Sequence, residues 1–306
     1  MKVLVLMAVY NGEKFIEEQI KSILEQEGVE VFLLISDDNS TDKSVDIINK
    51  FIEIGAPIKL IRRSKGSGSA ARNFLSLINS ADFYQKFDAV AFSDQDDIWL
   101  PKKLFCTAKY MLNDKETLYM SNLIMWDENS DRRTLIRKSH KQKKYDFLFE
   151  GGSAGCTYVM NRFFFEKLRS MVRCLSYVDW PGFSHDWLVY FFARIINGHV
   201  VIDSTSQILY RIHRNNVHGH LNVSSIASFL TKLRMVRDGW YLHHMDGFAQ
   251  LLDKNSLEHN IIQLYSRGVF FRIFVLMKYN FSLIRSPLKF LQFALLSFLP
   301  QIRQHV

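Results

Sequence analysis

Three aspartates within four positions, placed directly after a short apolar strand, constrain this chain more than any other feature. Residues 88–101 read DAVAFSDQDDIWLP: Val90-Ala91-Phe92 has the composition of a buried strand, and Asp94, Asp96 and Asp97 follow at its C-terminal end. Carboxylates this close repel one another and cost stability unless a cation or hydrogen-bond donors compensate. Oxygen donors suit Mg²⁺ or Mn²⁺, and those ions suit phosphates. The stretch reads as a metal–diphosphate site, with an acidic capped turn as the competing reading. Ile98-Trp99-Leu100 then leads to Pro101, which is expected to open a helix running to about Leu112.

The preceding residues repeat one pattern. Residues 3–9 are continuously apolar, as in a strand buried on both faces of a parallel sheet, and Tyr10-Asn11-Gly12 ends the run. Residues 13–25 put Ile16, Ile20, Ile23 and Leu24 on one helical face. A second strand at 31–35 runs into Ser36-Asp37-Asp38-Asn39-Ser40-Thr41-Asp42. Asn39 or Ser40 is expected to cap the next helix, with Asp42 in its first turn. A third strand at 58–61 precedes the basic, glycine-rich run from Arg62 to Ser69 and a helix at about 70–78.

Four strand–helix repeats within about 112 residues predict a doubly wound α/β domain. The acidic pair, the glycine loop and the three aspartates all follow strand ends, the edge where open parallel sheets bind ligands. No GxGxxG follows the first strand and no GxxxxGK[ST] occurs, which argues against a nicotinamide dehydrogenase and a P-loop nucleotidase.

The second half carries fewer repeats and more isolated signals. A strand is expected at 118–125. The run 131–144 holds Arg132, Arg133, Arg137, Lys138, Lys141, Lys143 and Lys144 without apolar periodicity, and is read as a solvated loop. It suits either plain solvent or an anionic acceptor or headgroup. After FLFEGGSAG, where Gly152 and Gly155 permit close backbone approach or simply a turn, a strand at 156–160 and a helix at 161–171 follow. In DWPGFSHDW, Asp186 stands near the start of a helix, where it suits an N-cap or a base taking a proton from a sugar hydroxyl. Two strands at 200–202 and 207–210 lead into RIHRNNVHGH. Its spacing is not HExxH and no cysteine joins it, so zinc is disfavoured. Arg211 and Arg214 suit a diphosphate, and His213 an oxygen-rich metal shell.

From about residue 224 the chain reads as helical. Residues 268–306 carry Arg272, Lys278, Arg285, Lys289 and Arg303 but no Asp or Glu. Their apolar clusters are too short to span a bilayer and suit an interfacial helix, a homodimer face or packing on the core. The formal charge of +8 permits nucleic acid, anionic lipid or phosphorylated substrates as partners. Nucleic acid is disfavoured, because no reading module is recognisable and no stacking aromatics interleave the basic run. Cys106, Cys156 and Cys174 are unclustered and odd in number, which fits a reducing cytosol. MKVLVLMAVYN reads as a first strand, with no signal peptide.

Taken together, VYNGEKFIEEQIKSIL, DDNSTDKS and SDQDDIWLP make residues 1–220 resemble family 2 glycosyltransferases of the GT-A fold. DQDDIW, the HDW at 185–187 and YRIHRNNVHG are most similar to bacterial rhamnosyltransferases of surface polysaccharide synthesis. The resemblance implies a Rossmann-like, mostly parallel sheet flanked by helices. It divides the chain into a nucleotide-binding half at 1–112, an acceptor half at 113–220 and a helical extension at 221–306.

The same resemblance implies roles for individual residues. Asp37 and Asp38 would hold base and ribose near Val9 and Tyr10, with Arg72 and Asn73 helping to bind the nucleotide-sugar. Asp94-Gln95-Asp96 matches the family's DxD element. Asp96 would be a direct ligand of Mn²⁺ or Mg²⁺, and Asp94 a sugar, ribose or outer-shell contact. Asp97 would orient them, and Asp94 and His213 complete the metal set. Arg211 would cover the diphosphate, and Asp186 would be the general base.

His185 stands where the family usually has glutamate, so the acceptor contact of that glutamate is not implied. The reaction implied is inverting transfer of a sugar, L-rhamnose from dTDP-L-rhamnose or a hexose from UDP. Its acceptor would be a lipid-linked glycan at the cytoplasmic face of the membrane. A sugar nucleotidyltransferase and a catalytically silent scaffold are the competing classes.

Overall fold

The computed structural model describes residues 1–81, 87–113, 115–177, 180, 182–213 and 226–301. Arg214 and Arg303, named above, lie outside them, as do Asp179, Pro181, His218 and His220 of the quoted stretches. The chain forms two compact units, one of residues 1–139, 152–175 and 192–212, the other of residues 140–151, 176–191 and 213–306.

The first unit is α/β. Its elements run β1 (Lys2–Val9), α1 (Ile16–Leu24), β2 (Glu30–Asp37), α2 (Ser44–Glu53), β3 (Ile58–Arg62), α3 (Ala70–Ser80), β4 (Ala89–Ser93), β5 (Ile98–Trp99), α4 (Ala108–Met111), β6 (Thr117–Asp127), β7 (Arg132–Ile136), β8 (Val159–Asn161) and α5 (Arg162–Cys174). Helix α6 (His185–Ile195) enters it at Phe192, and β9 (His199–Arg211) closes it. One sheet has the order β3-β2-β1-β4-β8-β6-β9-β5, with β7 beside β6. Pairing is parallel through β3, β2, β1 and β4 and again between β6 and β9. It is antiparallel where β8 joins β4 to β6. Val3 to Val9 are buried, as a strand covered on both faces requires, and Ile16, Ile20 and Ile23 of α1 pack into the same core.

Several expectations are corrected. Neither Asn39 nor Ser40 caps α2, which starts at Ser44; Asp42 precedes the helix and accepts the Ser44 N–H at 2.9 Å. Asn39 has φ 70°, which a residue opening a helix does not adopt. Residues 101–112 do not form one helix: turns and a short 3₁₀ segment precede α4. The cause is Gln26, whose amide donates to Leu100 O at 2.8 Å and accepts the Leu104 N–H at 3.0 Å, satisfying backbone groups that a helix would have paired.

The basic run is not all loop, because β7 pairs antiparallel with β6 from Leu123–Ile136 to Asp127–Arg132. An edge strand needs only backbone partners, and its exposed Arg132 and Arg133 are the charges that suit such an edge. The two strands expected at 200–210 are one. β9 continues through Asp203–Ser206 because β6 shifts register there and the Asn122 amide donates to Ser204 O at 2.9 Å.

In the second unit, α7 (Ile226–Arg237), α8 (Trp240–Ala249), α9 (Leu257–Ser266), α10 (Val269–Tyr279) and α11 (Pro287–Ser297) follow in sequence. Its core is aromatic: Phe149, Tyr265 and Phe293 form one cluster, and Trp180, Trp187, His244 and Phe248 another. Buried Arg285 joins α11's entry to Glu150 at 3.1 Å and lies 3.7 Å from buried Asp146.

Candidate active site

The first unit brings most of the expected donor-site residues to one edge of its sheet. Val9 lies beside Asp37, Asp37 beside Arg62, and Met7 beside Ser93, so β1 to β4 end together. The Gln95 side chain clamps the turn after β1: the Tyr10 N–H donates to its Oε1 at 2.9 Å, and its Nε2 donates to Tyr10 O at 3.0 Å. A Cβ on Gly12 would stand 2.5 Å from that Oε1, so this close approach favours glycine. Asn11, at φ 48°, donates its N–H to Ser40 Oγ and accepts the Thr41 N–H, both at 2.9 Å. The Tyr10 side chain is exposed at this edge.

Asp37 and Asp38 are both buried. Asp37 accepts the Ser40 N–H at 3.2 Å. Asp38 accepts the Ser67 N–H at 2.7 Å and the Ser67 hydroxyl at 2.8 Å, with Arg63 Nε at 3.3 Å. Asp38 thus pins the glycine loop over the end of β2. Gly68 in that loop sits at φ +84°, a conformation glycine adopts without strain. Ser69 then caps α3 by accepting the Arg72 N–H at 3.3 Å, and buried Asn73 donates to Ser36 O at 3.0 Å. The loop therefore has two anchors, one on each side.

The acidic loop is fixed from below and behind. Gln19, buried on α1, donates to Ser93 Oγ at 2.8 Å and Asp94 O at 3.2 Å. Arg211, 1% exposed, donates from Nε to Asp96 O at 3.1 Å. Its guanidinium also pairs with Glu18 and, at 2.5 Å, with Glu128, and stacks near Phe15 and Trp126. Burial opposes its charge, but Glu128 and Glu18 outweigh burial and hold its pKa above the ordinary arginine value. The arginine expected on a diphosphate is, in this structure, the anchor of the aspartate loop.

Asp97 lies beneath that loop, 1% exposed, and neither of its oxygens completes a hydrogen bond. The Cys156 thiol and the Arg211 main-chain N–H favour its charged form, yet burial, then Asp96 and Asp94, push its pKa well up. Ligand atoms of Asp94, Asp97 and Cys156 lie within 4.8 Å of one another; half-buried Asp96 is outside that group. Burial also pushes the Cys156 thiol well up, which disfavours the thiolate that a metal would need. An oxygen set carrying excess negative charge, around a buried carboxylate whose oxygens complete no full hydrogen bond, fits Mg²⁺ or Mn²⁺. Buried Lys103 sits 3.3 Å from the Trp99 ring centroid, and burial pushes its ammonium down to about 7.

Gln19, Gln95, Cys156 and Lys103 escaped the sequence reading. The partners of the first three are distant in the chain, and the available signal was slight: a glutamine between two DxD aspartates and a polar residue on an otherwise apolar helix face.

The second unit holds Asp186 and His213. Asp186, in the first turn of α6, accepts the Ser184 hydroxyl and the Trp187 N–H, the latter at 2.8 Å. Trp187 is 1% exposed, donates its indole N–H to Phe147 O at 2.8 Å, and stacks on His244 with centroids 4.6 Å apart. The Ser184 N–H donates to His244 Nε2 at 3.0 Å, while His244 Nδ1 faces Trp240 O at 2.9 Å. A carbonyl only accepts, so the proton is on Nδ1 and the ring is neutral with Nε2 as acceptor. Burial pushes its pKa from 6.5 down to about 4.

Between about pH 6.5 and 4 the unfolded chain binds the extra proton and the folded chain does not, so stability falls on acidification across that window. His244→Phe keeps an aromatic ring but leaves the Ser184 N–H unpaired. It is expected to cost about 1–3 kcal/mol at neutral pH and to remove this residue's share of the acid slope. Urea unfolding of both proteins across that window checks it; parallel pH profiles would contradict the role given to His244.

An α/β sheet with a phosphate-suited carboxyl edge, an aspartate triplet and a separate helix-borne carboxylate is the equipment of a nucleotide-sugar transferase. The sequence pattern of glycosyl transferase family 2 matches residues 4–170, and the chain belongs to that family. It is 35% identical over 255 residues to the dTDP-rhamnosyl transferase RfbG of Shigella flexneri, covering 83% of this chain and 87% of that protein. It is 29% identical over 161 residues to WfgD of Escherichia coli, a UDP-Glc:alpha-D-GlcNAc-diphosphoundecaprenol beta-1,3-glucosyltransferase, covering 52% and 59%.

Among solved structures it superposes on S. aureus TarS 1-349 in complex with UDP-GlcNAc, with TM-score 0.57, 16% identity and coverage of 97% and 88%. The mannosyltransferase PcManGT of Pyrobaculum calidifontis, in complex with GDP-Man and Mn²⁺, gives TM-score 0.52 at 12% identity, covering 90% and 74%. These likenesses establish the GT-A fold, and the chain is a glycosyltransferase.

Proposed function

We propose that the chain transfers L-rhamnose from dTDP-L-rhamnose to a hydroxyl of a growing, lipid-linked surface glycan, with inversion at the anomeric carbon. The observation that carries this reading is the 35% identity to a dTDP-rhamnosyl transferase, sustained over 83% of the chain. The acceptor reading draws on the diphosphoundecaprenol-linked substrate in WfgD's name. Exposed Tyr10 suits stacking on the base, and Asp37 and Asp38 suit the base and ribose. Arg72 and Asn73, on the helix behind the glycine loop, support the nucleotide-sugar.

In the reaction, the acceptor oxygen attacks the anomeric carbon while Asp186 takes its proton. The bond from that carbon to the diphosphate breaks, and its electron pair leaves with dTDP. Asp94, Asp96 and Asp97, with His213, are the residues that would hold Mn²⁺ or Mg²⁺. When bound, the ion neutralises charge on the departing diphosphate. Arg211 keeps the aspartate loop in place for that duty.

Calorimetric titration with dTDP, UDP and GDP, each with Mn²⁺ or Mg²⁺ and repeated with chelator, tests the donor. Metal-dependent binding selective for dTDP is the expected result. Selectivity for UDP would replace rhamnose by a hexose donor of the kind named for WfgD, and no binding to any of the three would overturn the donor reading.

A further inference from the structure

We infer that α10 and α11 form a docking face for an anionic lipid bilayer, with an apolar stripe of each helix seated at the headgroup–acyl boundary. The inference concerns one surface of the second unit and holds whichever sugar is transferred.

Both helices are apolar on two sides. Inward, Val275, Leu276, Phe293 and Leu296 are buried, and buried Arg272 donates to Tyr265 O at 3.2 Å and Leu299 O at 2.9 Å, tying the helices together. Outward, α10 exposes Phe270 at 88%, Phe274 at 44% and Met277 at 71%, spaced i, i+4, i+7 on one face. α11 exposes Leu288 at 66%, Leu291 at 56% and Leu295 at 68%, spaced i, i+3, i+7. A helix apolar all round is ordinarily covered by something, and exposed apolar stripes on two successive helices mark an interaction surface.

Charge selects the occupant. Exposed Arg267, Lys278 and Lys289 border the two stripes, and no Asp or Glu occurs from residue 268 onward. Arg267 lies 5.6 Å from the Phe271 ring, and Lys278 lies 5.5 Å from that of Phe274, so the cations flank the apolar stripe. A second copy packed on this face by two-fold symmetry would bring these cations toward their own counterparts without a carboxylate from the same segment between them. Anionic headgroups attract such a cationic border, and each lysine or arginine at such a surface contributes about 1 kcal/mol. Both helices have 11 residues, too few to cross a bilayer, so the geometry is that of helices lying in the interface. Among the described residues no helix is long and apolar enough to cross a membrane.

The test is flotation of the full chain with vesicles of phosphatidylglycerol and phosphatidylethanolamine, and with phosphatidylcholine alone. Binding to the anionic vesicles and little to the neutral ones is expected. Combined Phe270→Ser, Met277→Ser, Leu288→Ser and Leu295→Ser should weaken that binding by at least about tenfold, with nucleotide binding retained as the check on folding. Lys278→Gln with Lys289→Gln should weaken it about fivefold per charge, on anionic vesicles only.

On the unaltered protein, vesicles should slow amide exchange in 269–298, a readout that needs no variant. Failure of the unaltered protein to bind, or equal binding by the serine variant, would overturn the inference. So would a dimer in light scattering that the serine variant converts to monomer, because the face would then belong to a second copy.

Discussion

Asp186→Asn is expected to lower turnover by about 10²–10⁴-fold, the range for loss of a general base, while dTDP affinity stays within about twofold of the unaltered protein. The substitution is informative because of what it keeps. Asp186 accepts the Trp187 N–H and the Ser184 hydroxyl through one oxygen, and an asparagine carbonyl can accept both. The start of α6, the stack of Trp187 on His244 and the Trp187 bond to Phe147 O therefore survive. The carboxylate's charge and its capacity to take a proton are lost. Steady-state transfer to a synthetic acceptor, read beside calorimetric nucleotide affinity, separates the two effects. Turnover near that of the unaltered protein would assign the base elsewhere, and a parallel loss of nucleotide binding would make Asp186 structural.

The parts legible from the sequence are those whose physics is local. β1 to β4 declare themselves by apolar runs that end in polar turns, and their shared edge follows from the strand–helix alternation. The aspartate triplet is visible because like charges at one strand end demand compensation. What stayed hidden depends on residues far apart in sequence. Gln26 dismantles the helix expected at 101–112 from 74 residues away. Gln95 holds Tyr10 across 85 residues, and Arg211 reaches the carbonyl of Asp96 across 115. β7 was hidden for another reason: it pairs through backbone at an edge, so its side chains carry no alternation to read.

Arg211 shows how a residue singled out for one duty can be engaged in another. A cation after the last strand was legible and its interest was plain. Its burial between Glu18 and Glu128, with Nε on Asp96 O, was not, because neither glutamate stands out in the sequence. The structure makes it a positioning residue for the acidic loop. Asp38 is parallel: expected on the nucleotide, it is engaged with the Ser67 N–H and hydroxyl and so shapes the glycine loop as well.

That arrangement makes Asp96→Ala the sharpest test of the metal reading. Arg211 binds the main-chain oxygen of Asp96, which alanine retains, so the loop stays anchored when the carboxylate is removed. Loss of a ligand is then separable from loss of fold. Metal-dependent dTDP affinity is expected to fall by at least about 100-fold, beyond the cost of disturbing only an outer-shell partner.

Electrostatics predicts the opposite sign for stability without metal. After burial, Asp96 is the foremost cause of the raised Asp97 pKa, so removing it relieves repulsion beneath the loop. In chelator the variant should melt no lower than the unaltered protein. On adding Mn²⁺ and dTDP the unaltered protein should gain thermal stability and the variant should not, since only a ligand bound to the folded state shifts the melt. Equal gains in both proteins would remove Asp96 from the metal set and leave Asp94 and Asp97, the pair the structure already brings together.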